Sequence, residues 1–150
     1  MKLVMIFWLF FITGGCSGDQ GLYAVVSSAE DESVVLKEER VLPGDLITLR
    51  WIHSVEKTPW LERYEVRDSG ELVLVETEFE SFGAGVDYSR GEMTVEDGKV
   101  KVTDLEQHVP FISWIHSEQA SYTITINETQ AAGPEDLPHH EAIMVTVEKR

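Results

Sequence analysis

From Leu22 onward the chain runs in short apolar stretches of period two, rich in Val, Ile, Thr and aromatics. They are punctuated by Gly, Pro and Asp, and no amphipathic helical stripe of useful length interrupts them. Short alternating runs between turn signals predict an all-β fold, a compact sandwich or small barrel of roughly eight to ten antiparallel strands. The expected strands are Leu22–Ser27, Ser33–Val41, Leu46–Ser54, Trp60–Arg67, Glu71–Ser81, Glu92–Val95, Lys99–Val102, Phe111–His116, Ser121–Asn127 and Ala142–Glu148. Leu42-Pro43-Gly44-Asp45 and Glu96-Asp97-Gly98 read as turns, the second as a tight hairpin. Glu128 to His140, with two prolines and a glycine, reads as an exposed loop.

Alternation also assigns faces, because successive strand side chains point to opposite sides. Ile47, Leu49, Trp51 and His53 share one face of the third run. In the fourth, Trp60, Glu62, Tyr64 and Val66 point inward, and Arg63, Glu65 and Arg67 point to solvent. Val73, Val75, Thr77 and Phe79 are expected inside, as are Tyr122, Ile124 and Ile126. Glu62 is therefore a carboxylate on an apolar face. Such a group must be paired or hydrogen-bonded, or its pKa rises.

The N-terminal stretch departs from this pattern. Lys2 precedes ten unbroken apolar residues, Leu3 to Ile12, then Thr13-Gly14-Gly15-Cys16. That run is too short for the ~20 residues of a spanning helix and suits a signal peptide. Small residues before a cysteine resemble the bacterial lipoprotein processing site. The expected organisation is a lipoprotein signal peptide over 1–15, a lipidated Cys16 with a short tether over 16–21, and one β domain over 22–150. Cys16 is the single cysteine, so no intrachain disulfide can form. The implied location is extracytoplasmic, on the cell membrane through the lipid anchor. With 27 acidic against 12 basic residues and a net charge of −15, the chain lacks the basic face that nucleic acid requires. The same balance argues against electrostatic adsorption to anionic lipid.

The chemistry concentrates in Trp51–Val66, WIHSVEKTPWLERYEV. His53, across the Thr58-Pro59 turn from Glu62, is the expected partner of that carboxylate, with Glu56 nearby. The pair reads as a structural clamp on the turn, as part of a binding site, or as an acid–base dyad. Trp60 is the expected pocket wall. The other aromatics, Trp51, Tyr64, Phe79, Phe82, Phe111, Trp114 and Tyr122, read mostly as core. Trp51-Ile52-His53-Ser54 is echoed by Trp114-Ile115-His116-Ser117, too short a match to mark a duplication, though it supplies a second inward histidine. Gly83 and Gly85 permit either a tight crossover or a glycine lip beside a pocket. No metal site is expected, since His53, His116, His139 and His140 show no ligand spacing. No cofactor motif is present, and Ser54, Ser81 and Ser117 lack a nucleophile elbow.

The run His53-Ser54-Val55-Glu56-Lys57-Thr58-Pro59-Trp60-Leu61-Glu62, followed by Ser81-Phe82-Gly83-Ala84-Gly85, resembles the bacterial family called domain of unknown function 1850. His53, Ser54, Glu62, Gly83 and Gly85 match its motif positions. The resemblance implies a small exported or membrane-tethered protein, an accessory to TRAP-type solute transporters of the TAXI class, and carries no established activity. The resulting expectation is a lipid-anchored binding or accessory protein for a small organic solute, with no catalysis. His53, Ser54, Glu62, Trp60, Gly83 and Gly85 then form a ligand- or partner-binding site. The alternatives are a hydrolase-like enzyme using the His/Glu pair and a structural envelope protein docking a membrane partner.

Overall fold

A computed structural model of the protein describes residues 21–80 and 91–150. Cys16, Gly83 and Gly85 lie outside the described residues. Twelve strands are present there: β1 Leu22–Ser28, β2 Val35–Val41, β3 Leu46–Ile52, β4 Pro59–Val66, β5 Leu72–Phe79, β6 Glu92–Glu96, β7 Lys99–Thr103, β8 Gln107–Val109, β9 Ile112–Ile115, β10 Thr123–Ile126, β11 Thr129–Ala132 and β12 Ala142–Lys149. They form two antiparallel sheets packed as a sandwich. The first has the order β2-β1-β12-β9, and the second β11-β10-β3-β4-β5-β7-β6, with β8 also paired to β5. The strands do not close into a barrel: β2 and β9 are edges of one sheet, β11 and β6 of the other.

The main core lies between the sheets. Leu22, Ala24 and Val26 of β1, Ile112 and Trp114 of β9, and Ile143 and Val145 of β12 meet Ile47 and Leu49 of β3, Tyr64 and Val66 of β4, and Ile124 of β10. These are alternate residues of each strand, so period two places one apolar row per strand against the other sheet. A second, smaller cluster lies beside it: Phe79, Val100 and Val102, with Trp60 and Leu105 packed against them.

Turn chemistry fixes the registers. Pro43-Gly44 turns with Gly44 at φ 90° and Asp45 N–H donating to Leu42 O at 3.0 Å. Asp97 and Gly98 both have positive φ, as a two-residue type I′ hairpin requires, and they join β6 to β7 with Glu96 opposite Lys99. Asn127 and Glu128 make the same kind of connection, at φ 46° and 70°, pairing Ile126 with Thr129. The expected exposed loop over 128–140 therefore opens with a strand, and Ala132 and Leu137 are buried in the core. The inward set expected for β5 is also corrected. A bulge opposite Arg63/Tyr64 shifts the register so that Tyr64 pairs with Leu74 and Glu62 with Thr77. Thr77 and Phe79 keep their inward face and Val73 is fully buried, but it is Leu72 and Leu74, not Val73 and Val75, that join the main core.

Candidate functional site

Strand β4 carries Glu62 into the sandwich, as alternation requires, but its partner is not His53. The register sets Leu49 opposite Glu62 and Trp51 opposite Trp60. Four residues of strand, about 13 Å, then separate Glu62 from the position level with His53. The imidazole instead closes its own turn: Nδ1 accepts the Glu56 N–H at 3.2 Å, and its backbone N–H donates to Thr58 O at 2.9 Å. The ring tilts against Trp60 with centroids 5.8 Å apart. Ser54 is exposed in the same turn. Thus His53 and Ser54 shape the β3–β4 connection, and no ion pair joins His53 to Glu62.

The partner of Glu62 is two residues along its own strand. Tyr64 donates its phenol hydrogen to Glu62 Oε2 at 2.5 Å, since side chains at i and i+2 share a face. Desolvation raises the Glu62 pKa above its ordinary value. The Tyr64 hydroxyl and the nearby Trp60 indole oppose that shift. The indole lies outside hydrogen-bond geometry, and Trp60 Nε1 is buried with no partner among the described residues. Tyr64 is pushed well above the usual phenol range, chiefly by burial and then by the Glu62 charge. Tyr122 is raised by the same two causes in the same order.

Glu62 opens on a cleft of about 430 Å³ between the sheets, lined by Leu49, Trp51, Tyr64, Phe111, Ile112, Ser113, Trp114 and Tyr122. Phe111 and Ser113 are exposed and mark its mouth beside the edge strand β9. Tyr122 stacks on Trp51 at 5.9 Å and on Trp114 at 5.7 Å, so it joins the tryptophans of the two echoed tetrapeptides across the sandwich. Trp60 does not line this cleft. It backs it, stacked between Trp51 at 5.7 Å and Phe79 at 4.6 Å. Trp51, Trp114, Tyr64 and Tyr122 thus take the wall positions. The sequence had offered them as inward aromatics without showing which would meet.

A larger groove of about 570 Å³ runs over the opposite face of β3, past Thr48, Arg50, Arg63, Thr123 and Thr125. It lies on the outward rows of the strands, and Arg63 is already paired with Glu76, which also holds Lys101 at 3.0 Å. No group of three or more potential ligands suited to a metal ion occurs among the described residues.

Residues 47–132 match the family described as domain of unknown function DUF1850, more than half of the chain. The chain belongs to that family. Every residue lining the cleft falls inside the DUF1850 match, whereas β1, β2 and β12 fall outside it. No curated protein and no solved structure matches the chain.

A buried carboxylate without a counter-charge should cost stability. The folded protein binds the Glu62 proton more tightly than the unfolded chain, whose pKa stays near 4.5. This contribution to stability is therefore largest below that value and falls as pH rises through the folded pKa. Glu62→Gln removes the fall. At neutral pH the variant is expected to be more stable than wild type by about 0.5–2 kcal/mol, with the gain vanishing in acid. Urea unfolding at both pH values checks this; a variant less stable at neutral pH contradicts it.

Proposed function

We propose that the protein is a lipid-anchored, extracytoplasmic solute-binding accessory of a TRAP-type transporter, and that the cleft around Glu62 is its binding site. The observation that carries the reading is this aromatic-walled cavity between the sheets with one carboxylate set into it. Ligand sites are concave and mainly apolar, with a few placed polar groups. Binding is favoured over acid–base catalysis because the polar partner of Glu62 is a phenol whose proton burial makes harder to remove. The His53/Glu62 pair that a hydrolase would use is not assembled. Membrane attachment is supported by Cys16 after its apolar run, and transporter association by the family resemblance.

Membrane fractionation of cells expressing the full chain, followed by crosslinking, mild solubilisation and mass spectrometry, tests both parts. The expected result is a membrane-bound protein crosslinked to transporter subunits, and a Cys16→Ala variant released from the membrane. A wild-type protein that stays soluble would sink the anchor, and crosslinks that never include a transport protein would sink the association.

A further inference from the structure

The cleft carries information about what it admits. Among the described residues, Glu62 is the one charged residue lining it. No lysine, arginine or histidine of the described chain pairs with that carboxylate: its hydrogen bond comes from Tyr64, and no basic group figures among the influences on it. An ionised carboxylate held only by the Tyr64 bond is stabilised further by an opposite charge, which a ligand can bring. The walls point the same way. The rings of Trp51, Tyr122 and Trp114 stack in a row along the wall, with successive centroids 5.9 and 5.7 Å apart, and give alkyl groups hydrocarbon to pack on.

Resting on the reading of this cleft as a binding site, we infer that it takes a small organic cation, an alkylated ammonium whose methyl groups pack on Trp51, Trp114 and Tyr122 while its charge faces Glu62. An anion would meet the carboxylate and be repelled. A neutral solute would leave Glu62 without a counter-charge. A hard divalent ion needs several oxygen ligands, carboxylates foremost, and the described lining supplies one carboxylate beside the hydroxyls of Tyr64, Ser113 and Tyr122. An alkylated ammonium is weakly hydrated for its charge and suits such walls. The net charge of −15 adds a long-range field that draws cations toward the molecule.

The test uses full-length protein in nonionic detergent, read by tryptophan fluorescence, with choline and neohexanol, its uncharged carbon isostere, as probes. Choline is expected to give a saturable change at constant ionic strength and to bind at least about tenfold more tightly than neohexanol. Glu62→Gln, which the site should tolerate without unfolding, is expected to bring choline down to the level of neohexanol. Trp114→Leu is expected to weaken both. Equal binding of the two probes, undiminished choline binding by Glu62→Gln, or no saturable response to choline each overturns the assignment to cations. Organic acids, sugars and amino acids in the same assay then separate the two ideas. A hit that Trp114→Leu abolishes leaves the cleft as a site for another class, whereas silence from every solute removes the site as well.

Discussion

Phe79→Ala is expected to lower the unfolding free energy by about 3–5 kcal/mol, the usual range for emptying a buried phenylalanine site. Phe79 is 1% exposed at the end of β5. Among the described residues it is the largest of the three fully buried ones in the small second core, beside Val100 and Val102. A cluster of that size has few atoms with which to refill the space, so the loss should sit toward the upper end. Two consequences follow from the contacts. The β6–β7 hairpin is held to the sheet by three residue pairs between β5 and β7, Phe79–Val100 among them, so hydrogen exchange in β6 and β7 should rise more than in β1 and β12. Trp60 also loses the ring against which it stacks, and through it Trp51 loses support at the back of the cleft. Urea unfolding gives the magnitude and exchange gives its location. A loss below about 1 kcal/mol, as for a site that collapses without a cavity, would mean that the second core is not a stabilising unit.

The sequence was most informative where period two acts within one strand. The alternation that sent Trp60, Glu62, Tyr64 and Val66 inward and Arg63 and Glu65 outward is the one found in β4, where Tyr64 and Val66 are buried. The Asp97-Gly98 hairpin was legible because a type I′ turn demands positive φ, which Gly adopts freely and Asp tolerates. Legibility ended where one strand meets another. His53 is near Glu62 in sequence, but hairpin register, not proximity along the chain, decides who faces whom, and it gave Glu62 to Tyr64. Tyr122 and Trp114 reach the cleft because β10 pairs with β3 and β9 lies beside β12 in the facing sheet. No local pattern encodes that order. The bulge in β5 was hidden for a related reason: alternation read through an extra residue continues in the wrong phase. Strand β11 was missed because Asn127-Glu128 lacks the glycine that usually announces a two-residue hairpin, although asparagine at its first position was a usable signal.

The second large effect is expected at His116, which the echo of Trp51–Ser54 had marked as a possible site residue. It is fully buried, at 0% exposure, and its ring is committed. Nε2 lies 2.8 Å from Pro134 O. A carbonyl can only accept, so the proton sits on Nε2 and Nδ1 is left as an acceptor. Nδ1 receives the Trp114 indole N–H at 3.4 Å. The backbone N–H of His116 donates to Glu141 O and its carbonyl accepts from His140 N–H, so with the Pro134 bond one residue ties the end of β9 to both ends of the segment before β12. His116→Leu fills the volume but leaves a carbonyl and an indole N–H unpaired in the interior. Each such group costs about 1–3 kcal/mol, and the variant should lose about 2–5 kcal/mol in chemical denaturation. His116→Gln, whose amide N–H₂ can reach toward Pro134 O, should recover part of that loss. The choline affinity supplies the readout that a purely structural role would not move. Trp114 owes its orientation at the cleft wall to the His116 bond, so binding should weaken in His116→Leu even where the protein remains fully folded. Unchanged stability in His116→Leu would mean that neither hydrogen bond matters. A large loss of stability with unchanged choline binding would mean that Trp114 is held by its stacking on Tyr122 alone.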